Sequence, residues 1–329
     1  MMDMQFRTVT DIKPFESRID HSSRILSLGS CFADNIARRL QRAKFRVEAS
    51  PTGILFNPES IARAVERFDA ADMPTRDELR RDGSRYFGYD FHSAFSDTDP
   101  ERALASMREA VCKGADALRE ANTVIITFGT AWIYRLRENG AVVANCHKQP
   151  QSLFIREMMA ADRIVDRYAT LLAGPLAGKH VIFTVSPVRH LGDGAERNSL
   201  SKAVLRVAVG ELTGRFHGTD YFPSFEIMND ELRDYRFYAD DMAHPSQTAI
   251  GYIWERFGQT ALTDEALRLA ERAERIAEAA EHRPFDPRSE AHRDFCRAML
   301  RRIEELRRAA PQMEFGHEME YFNSFLEIN

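Results

Sequence analysis

Short apolar runs rich in β-branched residues alternate with longer stretches of helical period through the first ~260 positions of the chain. Residues 24–28, 45–48, 123–128 and 181–185 read as buried strands, with 220–225 as a weaker fifth. Between them, residues 32–41, 58–68, 100–120, 155–172 and 198–216 carry apolar positions at helical spacing. Those lengths suit right-handed crossovers between parallel strands, so the pattern predicts a doubly wound parallel sheet in a three-layer α/β/α sandwich. Residues 81–99, with Gly83, Gly88 and several aromatics, predict an irregular insertion or hairpin after the second strand. Beyond residue 260 the texture becomes charged and helical, interrupted at Pro284 and Pro287, which predicts a helical pair. The expected organisation is one domain over 1–260 with a C-terminal helical extension, 261–329, packed on it.

In a doubly wound sheet, ligands bind beyond the carboxyl ends of the strands, which gives the residues following each strand extra weight. Gly29-Ser30-Cys31 follows the first strand and opens a helix, where free N–H groups and the positive dipole end favour an anionic oxygen or thiolate. A segment from Pro51 through Gly53 and Asn57 follows the second. Gly129-Thr130-Ala131-Trp132 follows the third and Ser186-Pro187-Val188-Arg189-His190 the fourth. Late in the chain, Asp241 and His244 stand three positions apart, close enough for the carboxylate to orient the imidazole. A nucleophile, an acid and a base thus occur in the order Cys or Ser, Asp, His.

Composition narrows the possibilities. The chain has 329 residues, a net charge of −5 and interspersed charges of both signs, which disfavours a nucleic-acid surface. No run of about 18 apolar residues predicts a membrane span, and the first seven residues lack the apolar core of a leader. The four cysteines, Cys31, Cys112, Cys146 and Cys296, form no C-x-x-C pair, so a reducing, cytoplasmic setting is expected. Asn145-Cys146-His147-Lys148 offers two adjacent ligand types without a second pair and reads as a polar pocket wall, with no metal or other cofactor expected.

The block Gly29-Ser30-Cys31-Phe32-Ala33 resembles the signature of the GSCFA domain family, a relative of the SGNH (GDSL-like) hydrolases. Segments at 127–132, 145–148, 186–190, 221–228 and 241–246 agree with it, and the resemblance covers roughly residues 22 to 258. It implies an SGNH-like fold with Cys31 at the nucleophile position and Asp241 and His244 as the late acid and base, although a one-residue difference in the turn would present Ser30 instead. Thiol acidity at a helix N-terminus beside a histidine also favours Cys31. The resemblance further implies an oxyanion hole built from the N–H of residue 31 and from Gly53. The Asn donor of related enzymes is replaced near Gly129 by Ala131, so Thr130, Asn57, Asn145 or His147 would have to substitute. Losing one such donor costs other enzymes about 2.7–4 kcal/mol of barrier.

Each feature also has an ordinary explanation. Ser30 serves as a helix cap, Asp241 as a turn cap and Cys31 as a small packing residue. Arg189 and His190 bind a carboxylate or phosphate, or Arg189 braces a loop. Trp132 and Tyr134 line a sugar or acyl pocket, or close a sheet edge. The charged C-terminal helices present solvated faces or a homodimer contact. The expected activity is hydrolysis or transfer of an ester, with an O-acylated carbohydrate as first substrate class. A non-catalytic glycan- or acyl-binding module is the alternative. A flavin or nucleotide binder is disfavoured because no Gly-x-Gly-x-x-Gly loop follows the first strand.

Overall fold

Strands covered on both faces read as uninterrupted apolar runs, and the central strand of the molecule buries all six of its residues. The computed structural model describes residues 7–326; residues 1–6, part of the stretch scanned for a leader, lie outside it. Chain order opens with β1 (Arg24–Gly29), α1 (Cys31–Arg42), β2 (Arg46–Ala49) and α2 (Pro58–Asp69). A hairpin of β3 (Leu79–Asp82) and β4 (Arg85–Gly88) leads to α3 (Pro100–Glu120) and β5 (Thr123–Phe128). Next come β6 (Trp132–Leu136), β7 (Val142–Val143), β8 (Phe154–Met158), α4 (Ala161–Ala173), β9 (His180–Val185), α5 (Ala195–Arg215) and β10 (Thr219–Phe222). The last elements are α6 (Ser224–Glu226), continued by a π turn over Ile227–Leu232, then α7 (Gln247–Ala261), α8 (Asp264–Glu281), α9 (Glu290–Ala309) and α10 (Gly316–Ser324).

The main sheet is parallel in the order β10-β9-β5-β1-β2, so chain direction reverses its march across the sheet between β1 and β5. That reversal point is where open α/β sheets leave a crevice. Alternation along the strands divides the core. Leu26, Val124 and Phe183 face α2 to α5, while Ile25, Ile125 and Ile182 face α1, α7 and α8. A three-layer α/β/α arrangement results.

Three readings of the pattern are corrected. Residues 155–172 are not one helix, because Phe154–Met158 pairs antiparallel with β6 before α4 begins at Ala161. The fifth strand ends at Phe222, since Pro223 and Ser224 start a helical turn. The β6-β7-β8 sheet and α10 had no counterpart in the reading. The hairpin after the second strand is present, and α8 and α9 flank the prolines.

The C-terminal helices pack on the sheet domain. Ala266 and Ala270 of α8 share an apolar cluster with Ile36 and Leu40 of α1. Lys44, just past α1, pairs with Glu318 of α10 at 2.6 Å. No described helix is long and apolar enough to cross a membrane.

Candidate active site

The turn after β1 is held by close backbone approach. Gly29 has φ +139°, and a Cβ there would lie 2.2 Å from the Thr127 carbonyl oxygen of β5. Only glycine fits such a position. Ser30 donates its N–H to that same oxygen at 3.2 Å, and its Oγ accepts from Phe32 N at 3.3 Å. Its hydroxyl is therefore the cap of α1, and with 1% exposure it does not reach the cavity. Cys31, the first residue of α1, does.

Cys31 and His244 line one cavity of about 600 Å³ at the carboxyl edge of the sheet. Volumes in this range suit a small organic ligand. The N–H groups of Cys31 and Phe32 act on Sγ and favour the thiolate, but burial and the nearby Asp34 carboxylate outweigh them and push the thiol up. The acidified thiol expected from the helix N-terminus is thus not found, because desolvation exceeds the dipole effect.

Asp241 and His244 occupy a short loop closed by the Tyr238–Pro245 bridge. The Asp241 Oδ1 accepts from the N–H groups of Ala243 and His244, both at 2.9 Å, and Oδ2 holds His244 Nδ1 at 2.6 Å. Those bonds, led by the His244 N–H, bring the carboxyl down to about 2. The carboxylate fixes the ring and leaves Nε2 as the free nitrogen. Arg189 braces this loop: its N–H donates to Ala243 O at 3.0 Å, its guanidinium donates to Met242 O at 3.3 Å and lies over the Tyr238 ring. It also lines the cavity.

Around the wall, Asn57 caps α2, its Oδ1 accepting from Ser60 N at 2.8 Å, which leaves Nδ2 as the donor. Asn145 accepts from His147 N through Oδ1 at 2.8 Å, leaving its amide nitrogen in the same way. The Thr130 hydroxyl instead bonds Ser201 Oγ and Trp132 N. The N–H groups of Gly129 and Thr130 both donate to Phe56 O. Arg156 lies 4.3 Å over the Trp132 ring and pairs with Asp193. His190 is held down to about 4, first by burial and then by the Lys202 charge, so its imidazole is neutral and its buried Nε2 has no hydrogen-bond partner among the described residues.

Lys202 of α5 is 1% exposed, and its Nζ donates to Gly129 O at 2.6 Å and Ser186 O at 2.7 Å, beyond the ends of β5 and β9. Burial brings this amine down to about 7, opposed by the Cys31 charge.

Two family models cover most of the chain: the GSCFA family over residues 24–257 and the GSCFA domain protein, C-terminal domain, over residues 273–328. The chain belongs to the GSCFA family. A comparison with curated proteins returned no match.

Two residues of this GSCFA protein do other work than their sequence positions suggest. The Gly53 N–H donates to Ser50 O at 2.7 Å and is not free for an oxyanion. Its φ of +90° and missing Cβ instead admit His92, whose Cβ lies 2.1 Å from where a Gly53 Cβ would be. His147 is tied by Nε2 to Gly88 O at 3.0 Å and stacks near Phe87, off the cavity. Conversely, Phe56, His92, Arg156 and Asp193 line the GSCFA cavity without having been singled out, while Asn145 and Cys146 of the segment read as a pocket wall do line it. Lys202 was also missed, although a signal existed: it continues the buried stripe of Leu205, Val209 and Leu212 with a charged residue.

Proposed function

We propose that this GSCFA protein is an SGNH-like ester hydrolase or acyltransferase working through a thioester on Cys31. The observation that carries the reading is one cavity bordered by the Cys31 thiol and by His244, with Asp241 fixing the imidazole. His244 Nε2 takes the Sγ proton as sulfur attacks the ester carbonyl; the C–O bond then breaks and the leaving alkoxide takes that proton back. Water or an acceptor hydroxyl releases the acyl group by the reverse sequence. The N–H of Cys31 and Nδ2 of Asn57 are the donors we assign to the tetrahedral oxyanion, in place of Gly53.

An O-acylated carbohydrate is the substrate class to test first, on analogy with related hydrolases. A cytoplasmic location belongs to the same proposal, supported by four unbridged cysteines. The raised thiol favours, as second reading, a pocket that binds an acyl or glycan group without turning it over. Hydrolysis of a short-chain aryl ester separates the two. Turnover lost in both Cys31→Ser and His244→Ala, with an acyl adduct on Cys31 in intact-protein mass spectra, supports the enzyme. No turnover by the unaltered chain across a panel of aryl and sugar esters supports binding alone.

A further inference from the structure

The wall of the cavity that holds Cys31 and His244 is richer in free hydrogen-bond donors than in free acceptors. Asn57 Oδ1 and Asn145 Oδ1 already accept backbone N–H groups, which leaves their amide nitrogens to donate. His92 Nδ1 accepts from Ala94 N at 3.2 Å, so the proton of that ring sits on Nε2. Thr130 Oγ1 is taken by Trp132 N at 3.2 Å. The indole Nε1 of Trp132 and the Nε of Arg156 can only donate, and both are buried without a partner among the described residues. Such a wall is completed by a ligand that brings oxygen acceptors.

Charge points the same way. Of the arginine and aspartate side chains that line the cavity, Arg156 and Asp193 pair with each other, and Arg189 has no carboxylate partner among the described residues. Asp241, on the neighbouring loop, is engaged by the N–H groups of Ala243 and His244 and by the His244 ring. The Arg189 guanidinium gives one hydrogen bond, to Met242 O at 3.3 Å, out of five N–H donors. Its central carbon lies 5.1 Å from the Tyr238 ring centroid and 5.7 Å from that of Tyr235, so the aromatic rings steady the group and leave further N–H donors unspent. Bracing the loop uses the Met242 bond and the ring contacts, and it leaves one positive charge at the cavity uncompensated.

We propose that Arg189 is a substrate-binding residue that selects esters carrying a second, anionic oxygen group, a carboxylate or a phosphate. A guanidinium edge takes either group through two parallel N–H···O bonds. The Asn145 amide and His92 Nε2 are donors for further oxygens of the same ligand. Within the O-acylated carbohydrates, this narrows the class to acidic sugars, those with a carboxylate or a phosphate of their own. Arg189 is assigned this role on the reading that the cavity is the substrate pocket of the proposed function. The probes below carry no ester, so anion selection and ester turnover can fail separately.

The test titrates benzoate, phenyl phosphate and neutral benzamide into the full chain at constant ionic strength and follows the Trp132 indole ¹⁵N–H resonance. The chain has two tryptophans, and Trp254, tied to Glu274, is the internal reference. One or both anions are expected to bind about tenfold or more tightly than benzamide, and the order of the two anions tells carboxylate from phosphate. Arg189→Gln is expected to bring the anions within about twofold of benzamide, while Arg189→Lys keeps part of the preference. A loop brace alone would weaken all three probes alike. A preference that survives in Arg189→Gln overturns the proposal. So does an unaltered chain that binds benzamide as well as both anions, or that binds none of the three, even where Arg189→Gln does not fold.

Discussion

The two halves of the candidate site are built in opposite ways. Cys31 and Lys202 sit on the sheet side, fixed by the Gly29 contact with Thr127 and by carbonyls at the ends of β5 and β9. Asp241 and His244 sit on a loop, about half exposed at 51% and 49%, and held by turns, the Tyr238–Pro245 bridge and Arg189. The difference teaches that the sheet side can set geometry and electrostatics before a ligand arrives, while the loop side can adjust to it. Rigidity is expensive to disturb on the first and cheap on the second.

Substitutions should separate the halves. Gly29→Ala is expected to cost more than about 3 kcal/mol in chemical denaturation, because it adds a clash to a positive-φ strain. A cost below 1 kcal/mol would sink the rigid-edge description. Gly53→Ala, which presses on His92, is expected to cost about 2 kcal/mol and to lower ligand affinity or turnover as the His92 wall shifts. His244→Ala should leave the denaturation midpoint within the spread of about 0.5 kcal/mol seen for surface changes, while ester turnover falls about a hundredfold or more. A large stability loss there would show that the loop is structural after all.

The smallest effect concerns acid. The Asp241 carboxyl lies lower in the folded chain than in the unfolded one, at about 2 against 3.8, so its turn-holding bonds are intact above the unfolded value. They are lost as pH falls toward 2. The Asp241 carboxyl ¹³Cγ resonance and the backbone N–H resonances of Ala243 and His244 that donate to it are expected to hold steady down to about pH 4 and to move as pH falls from 4 toward 2, with Asp241→Asn abolishing the step in the N–H resonances. A loop that opens already at pH 5 would contradict the assignment.

What was legible in the chain follows the same division. The β5 strand stood out because burial on both faces leaves no polar residue in residues 124–126, and Cys31, Asp241 and His244 stood out because they follow strands or precede a helix. The β8 strand was hidden, since Ile155 and Met158 continue a helical spacing and only the distant pairing with β6 reveals the strand. Gly53 was misread because nothing in a residue name tells that Ser50 already takes its N–H. The burial of Lys202 was legible in the stripe it shares with Leu205, Val209 and Leu212, but its two acceptors, Gly129 O and Ser186 O, lie past the ends of other elements, and no helical pattern encodes them.

Lys44 has φ +68° in the bend after α1, and its ammonium, with a side chain only 13% exposed, lies against Glu318 and over the Phe315 ring. The carboxyl end of α1 is thereby clamped by the last helix of the chain, while the amino end, about 18 Å away for a twelve-residue rod, carries the sulfur. Cutting the tail would strand a charge in an apolar seat and slacken that rod at its far anchor. The terminal helices thus buttress the far end of the helix whose first residue borders the cavity.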